Sequence, residues 1–246
     1  MSRHPPVEIY DELDSTNAEA RRRAEAGNDA AAWIMTRRQT AGRGRRGRTW
    51  DSGARNLAAT LLMAIDKPPA EAAQVSFLAA LATADLANAC LGPGVARLKW
   101  PNDLLIHNRK AAGILVESGA RGAGGLWLAV GIGVNLATAP SDVERPATAF
   151  ADHMPKGGPE PEAALEILAG AFEGWRQVWV NGGFGPIAAA WTARAHGLGD
   201  RCVARLPART LHGVAEGLDP DGALRLRLDD GGVERITAGD VFFGET

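Results

Sequence analysis

The chain has 246 residues, 46% of them hydrophobic and 23% charged, which is too apolar for a mainly disordered chain and enough to bury one large core beside a small second domain. With 27 Lys and Arg against 29 Asp and Glu, the net charge of -2 gives no global electrostatic reason to bind DNA or RNA, so any basic site must be local. Cys90 and Cys202 form no CxxC pair, Met1 to Tyr10 lacks an apolar signal-peptide core, and no run reaches about 18 consecutive apolar residues, so a cytoplasmic protein with no zinc framework and no membrane association is expected.

Val7 to Tyr10 is too short to assign. Asp14-Ser15-Thr16-Asn17 followed by Glu19 is a helix-start signature, and Gly27 supplies the stop, so a helix is expected from about Asn17 to Ala26. Ala31 to Thr36 and Leu57 to Ile65 read as buried strands separated by a long loop, Arg37 to Arg55, rich in arginine and glycine. Loops of that length in compact domains are usually binding or lid segments. Pro69 opens an alanine-rich helix to about Cys90, ended by Gly92-Pro93-Gly94. Leu98 to Trp100, Leu104 to His107, Ala112 to Glu117 and Leu126 to Val134, joined by tight polar turns, predict an antiparallel meander. Helices over about Glu162 to Trp179 and Phe184 to Ala195 complete an α+β fold: a mixed, mainly antiparallel sheet backed by helices on one side. After Gly197-Leu198-Gly199, short alternating runs (Arg201 to Leu206, His212 to Leu218, Ala223 to Leu228, Val233 to Ile236) predict a small SH3-like β-barrel, which divides the chain into residues 1–197 and 198–246.

Gly42-Arg43-Gly44-Arg45-Arg46-Gly47 satisfies the GxGxxG dinucleotide pattern literally, and Gly42 to Thr49 departs from a P-loop by Arg48. Both patterns require the glycines to deliver the chain into a helix whose N-terminus receives phosphates. Here a turn and an apparent strand follow, and arginine does not reproduce a lysine point charge. The segment still allows close backbone approach and concentrates positive charge, which suits a polyanion. Taken alone, a solvated basic loop or a nucleic-acid contact fits it equally well.

In order, the chain contains Asp14-Ser15-Thr16-Asn17, then Gln39 to Arg48 with Trp50, then Lys99-Trp100-Pro101-Asn102-Asp103, then Arg109 to Glu117 and Gly131-Ile132-Gly133-Val134-Asn135. Together these motifs closely resemble the catalytic domain of the biotin protein ligases, a class II synthetase-like fold, over about Asp14 to Asn135. The resemblance implies ATP-dependent formation of biotinyl-5'-adenylate and transfer of biotin to a lysine of a biotin carboxyl carrier domain of acetyl-CoA carboxylase or a related carboxylase. It also admits a homodimer.

By the same resemblance, Ser15, Thr16 and Gln39, with backbone groups at Arg43, bond the ureido and ring portion of biotin, Arg43 to Arg45 form the loop that closes over the adenylate, and Asn17, Gly42 and Gly44 belong to the ligand-binding set; helix capping is the competing role for Ser15 and Thr16, which Thr16-x-x-Glu19 also satisfies. Arg45 retains the adenylate, Lys110 stands at the reacting carboxylate and phosphate, and Lys99 assists at the phosphates. Gly113 and Gly131 let strands lie against the ligand, although a simple bulge also explains a strand glycine. Asn135 reads adenine, and Trp50 shields the pocket or belongs to the core. Asp103 orients a lysine or helps with Mg²⁺, while turn formation also accounts for Asn102-Asp103. Mg²⁺ is expected to arrive with ATP, since the five histidines form no ligand-spaced pair.

The sequence departs from the family where Ala58-Ala59 follows Asn56-Leu57, a place that often holds an aromatic. With thirteen residues before Asp14, no DNA-binding domain and no repressor role are expected. The alternatives are a lipoate or octanoate ligase of the same fold, a nucleic-acid module using Arg43 to Arg48, and a nucleotide-dependent oxidoreductase, which requires a helix after Gly47.

Overall fold

The structure, a computed structural model, describes residues 4–122, 124–141, 143 and 145–244. A seven-stranded sheet in the order β1-β2-β3-β7-β6-β5-β4 carries the larger unit. Its strands are β1 (Val7–Leu13), β2 (Ala32–Gln39), β3 (Leu57–Ile65), β4 (Ala96–Lys99), β5 (Asp103–Ile106), β6 (Arg109–Ala120) and β7 (Leu126–Val134). Neighbours pair antiparallel except β1 and β2, which run parallel through α1 (Thr16–Glu25). That crossover needs a helix, because parallel strands cannot be joined by a hairpin.

β3 and β7 are buried almost throughout, which explains their unbroken apolar sequences at the centre of the sheet. Alternation in β2 divides the core in two. Trp33 and Met35 enter the large cluster under α3 (Val75–Leu91) and α4 (Pro161–Gly182), whereas Ile34 joins Ala20, Leu62, Trp127 and Ala129 beneath α1. The helices therefore do not all lie on one side, as the sequence suggested: α1 covers part of the opposite face.

The expected single helix from Pro69 is two, α2 (Pro69–Ala72) and α3, with Ala73 and Gln74 between them. Residues 69–91 are long and apolar enough by composition to cross a membrane, yet 67% of the most apolar window is buried inside the protein. A helix that is apolar all round is a core helix when partners enclose it, and here β4, β6, α4 and α5 (Phe184–Thr192) do so.

The smaller unit is a five-stranded antiparallel sheet in the order β11-β10-β9-β8-β12: β8 (Arg201–Arg205), β9 (Thr210–Leu218), β10 (Leu224–Leu228), β11 (Val233–Ile236) and β12 (Asp240–Phe243). β12 was not anticipated, since four residues after a turn carry almost no periodic signal. The unit packs directly on the larger one. Ala204, Ala215, Leu224 and Val241 belong to the main core cluster, and Trp100 Nε1 donates to Gly222 O at 3.2 Å.

Candidate active site

A cavity of about 620 Å³ opens at the ends of β2, β3, β6 and β7, roofed by the glycine-rich segment and bordered by the C-terminal sheet. Its lining includes Ser15, Thr16, Asn17, Gln39, Arg43, Gly44, Arg45, Trp50, Lys110, Gly113, Gly131 and Asn135. Thus residues from motifs more than a hundred positions apart converge. Gly42 and Lys99, which the sequence also singled out, do not line it.

One end of the cavity is a hydrogen-bonded polar nest. Ser15 caps α1 by accepting from Ala18 N at 3.5 Å, so capping falls to Ser15 and leaves Thr16 free for other bonds. Gln39 Oε1 accepts from Thr16 N at 2.9 Å, and its Nε2 donates to Ser52 Oγ at 2.9 Å. The buried Thr60 hydroxyl lies 2.8 Å from Thr16 Oγ1 and 2.7 Å from Asn17 Oδ1, while Asn17 Nδ2 donates to Glu117 Oε2 at 2.8 Å. These bonds fix amide and hydroxyl orientations, as a site reading a polar ring requires.

Strand glycines set the cavity's walls. A Cβ on Gly131 would stand 2.2 Å from Asn17 Oδ1, and one on Gly133 would stand 2.3 Å from Trp50 Nε1. Gly113 has Trp50 at 3.0 Å and Lys110 at 3.4 Å from its virtual Cβ. Pairing of β6 with β7 runs without a register shift from Ala112↔Val134 to Ala120↔Leu126. Close side-chain approach, not a bulge, therefore accounts for Gly113 and Gly131. Ala58 and Ala59, at the place where the sequence departs from the family pattern, line the cavity, and the preceding Asn56 accepts through Oδ1 from the backbone of Leu136, Ala137 and Thr138.

The other end is cationic. Lys110 Nζ stands 2.6 Å from Asp103 Oδ1 and 5.5 Å from the Trp50 ring centre, so the carboxylate and the ring hold the ammonium over the cavity. Asp103 is 7% exposed and also faces Arg145 Nη1 at 3.6 Å. Lys99, opposite Asp103 across β4 and β5, lies behind this wall. Burial, reinforced by the Arg145 charge, pulls its pKa down to about 8. Asn135 commits Nδ2 to Thr148 O at 3.2 Å and to Lys110 O at 3.5 Å, which pins the backbone on either side of the cavity.

The glycine segment folds back on itself: Gly44 N donates to Arg48 O at 2.7 Å, and Trp50 N to Gly42 O at 3.0 Å. Gly42 fits there because a Cβ would meet Trp50 O at 2.4 Å. After a single tight turn at Arg45–Gly47 the chain leaves extended at Arg48, with no α-helix after Gly47. That geometry removes the dinucleotide-fold and P-loop readings and, with them, the oxidoreductase alternative. Arg45 Nη1 donates to Asn102 Oδ1 at 3.2 Å and to Gly239 O at 3.3 Å. Arg46 donates to Asp240 Oδ2 at 3.2 Å, and Arg48 donates to the same oxygen. Burial lowers the Arg45 pKa, though a guanidinium remains charged. Burial alone would raise the Asp240 pKa, but the bond from Arg48 and the charges of Arg48, Arg46 and Arg145 outweigh it and hold it low.

Thr60, Asn56, Asp240 and Arg145 escaped the sequence reading. Thr60 sits in an otherwise apolar strand and was the one detectable signal, whereas Asp240 and Arg145 belong to no motif. Among the described residues no cluster of His, Cys, Asp or Glu could hold a metal ion. The acidic groups at the cationic end are already engaged, Asp103 by Lys110 and Asp240 by two arginines.

Comparison with known proteins follows these features closely. Residues 12–135 match the biotin/lipoate A/B protein ligase family, and residues 197–244 match the biotin protein ligase C-terminal domain. A biotin–[acetyl-CoA-carboxylase] ligase of Paracoccus denitrificans is 47% identical over 94% of this chain and 98% of its own length. One from Mycobacterium tuberculosis is 32% identical over 96% of this chain and 88% of its own length. A biotin protein ligase from Aquifex aeolicus in complex with biotin and ATP shares the fold with a TM-score of 0.83 at 21% identity, covering 98% of this chain and 99% of that one.

Proposed function

This chain belongs to the biotin/lipoate A/B protein ligase family, and from that premise we propose how its cavity works as a biotin–protein ligase. The enzyme activates biotin with ATP and joins it to a lysine of a carboxylase. In our reading the acceptor is a biotin carboxyl carrier domain, and the dependence on ATP suits the cytoplasm. The catalytic unit is residues 1–197, with residues 198–246 as the smaller domain.

The observation that carries this reading is the cavity's polarity: a neutral hydrogen-bonding nest at one end and a lysine–arginine cluster at the other. The nest of Ser15, Thr16, Asn17 and Gln39 suits the ureido ring of biotin, which donates and accepts. A dithiolane ring has no N–H donor and no carbonyl acceptor to offer this nest, which disfavours lipoate. The carboxyl tail then reaches past Trp50 to Lys110. There a carboxylate oxygen attacks the α-phosphorus, the bond from that phosphorus to the bridging oxygen breaks, and pyrophosphate departs. Lys110 and Arg45 cancel the repulsion between the reacting anions, Lys99 adds to the positive field from behind, and Arg43 to Arg45 cover the product. Asn135 fixes the adenine side, Gly113 and Gly131 give the ligand room, and Mg²⁺ enters on the phosphates of ATP. In the second step the acceptor amine attacks the acyl carbon and AMP leaves. Trp50 and the closed segment keep water from the mixed anhydride.

The direct test is incubation with ATP, Mg²⁺, biotin and a carrier domain, scored by avidin blot, with calorimetry of biotin against lipoate. Labelling of one lysine and preferential biotin binding are expected. Preferential lipoate binding would reassign the substrate.

A further inference from the structure

Arg145 stands in the loop after β7, in no motif, and its guanidinium is held in an unusual state. Phe242 of the C-terminal sheet stacks on it, with Cζ 4.0 Å from the ring centre. Arg205 lies on the same ring at 4.0 Å and Lys99 Nζ at 5.6 Å. Stacking fixes the guanidinium plane but accepts none of its protons. Nη1 is 3.6 Å from Asp103 Oδ2, too far for a hydrogen bond, and Nε and Nη2 are buried with no acceptor among the described residues.

Asp103 does not satisfy this group: Lys110 takes its Oδ1 at 2.6 Å, and its Oδ2 stays 3.6 Å from Nη1. Lys99, Lys110 and Arg145 thus gather around Asp103, while Arg46 and Arg48 share Asp240. Among the described residues positive charge is in excess on this wall, and buried cationic donors without acceptors call for an anion to complete them. The contacts also run in an order: Trp50, Lys110, Asp103, Arg145. An anion beyond Lys110, on the side away from the biotin ring, is in the position of the leaving group.

Resting on the ligase reading, we propose that Arg145 binds the β- and γ-phosphates of ATP and takes up the charge of the departing pyrophosphate, with Phe242 holding its plane. As the bond from the α-phosphorus to the bridging oxygen breaks, that oxygen gains negative charge, which Arg145 stabilises. The group then serves adenylation alone, because transfer to the acceptor involves no pyrophosphate.

The two half-reactions separate this role from simple stacking. With ATP and biotin but no acceptor, Arg145→Gln is expected to slow single-turnover pyrophosphate release about 100-fold and to raise the KM for ATP, with partial recovery in Arg145→Lys. Inhibition by added inorganic pyrophosphate should weaken in parallel. Transfer from supplied biotinyl-5'-adenylate to a carrier domain should stay within about twofold of the parent, since no pyrophosphate takes part in that step. Unchanged pyrophosphate release, or an equal fall in both half-reactions, overturns the assignment. A parent protein that releases no pyrophosphate when given biotin overturns the ligase reading itself, a distinct result.

Discussion

Asp240, the first residue of β12, accepts from Arg46 and Arg48, which precede it by 194 and 192 positions. Its side chain is 9% exposed while those of Arg46 and Arg48 are 37% and 52% exposed, so the C-terminal sheet supplies a buried acceptor for the glycine segment. Asp240→Asn should release the segment by roughly 1 kcal/mol, about a fivefold shift toward an open form, the solvent exposure of the arginines keeping the figure small. Trypsin cleavage between Arg43 and Arg48 would report it. A cleavage rate equal to the parent's would show that the pair does not restrain the segment.

Arg45 makes its bonds from the same segment to Asn102 and Gly239, bridging both units across the cavity mouth. Arg45→Gly should let the adenylate escape roughly tenfold faster, the scale of a charge-assisted hydrogen bond. Bystander lysines would then be labelled indiscriminately. Mass spectrometry of a mixture of carrier domain and an unrelated protein checks this, and undiminished selectivity would remove Arg45 from adenylate retention.

Gly131 faces Asn17 so closely that an added methyl cannot fit without moving the nest. Gly131→Ala should cost roughly 1–3 kcal/mol in overpacking and weaken biotin binding at least about tenfold. Calorimetric titration with biotin measures the loss. Equal affinity in the variant would mean that Asn17 and Thr60 do not define the ring's seat.

Lys99 has a pKa near 8 in the folded chain against 10.5 when free, burial being the main cause. Between those values the unfolded chain holds the extra proton, so this site's contribution to stability rises as pH increases across the window. The size is on the order of 3 kcal/mol for a group this deeply buried. Lys99→Met should therefore flatten the pH dependence of urea unfolding between pH 8 and 10.5 relative to the parent. Parallel curves for the two proteins would contradict the burial argument.

Much of the site was legible because its motifs carry their own local logic. The glycine segment without a following helix was readable from its flanking residues, and so was the start of α1, although the cap falls on Ser15 and not on the Thr16-x-x-Glu19 box. What stayed hidden depends on tertiary contacts. Val7–Leu13 becomes a strand only because β2 offers it a parallel partner, and α1 moves to the second face because Ile34 and Trp127 need covering. Asp240 and Arg145 were invisible for the same reason, since nothing in their flanking residues records that Arg48 or Asp103 will stand beside them.

Whether Lys110 and the arginine segment act on one reacting phosphorus is read from biotin-dependent exchange of labelled pyrophosphate into ATP, which requires no acceptor protein. The parent should exchange label only when biotin is present, and Lys110→Met should lower the rate about 100-fold or more while biotin still binds. Full exchange in Lys110→Met, or exchange in the parent that ignores biotin, would contradict acyl-adenylate formation at this lysine.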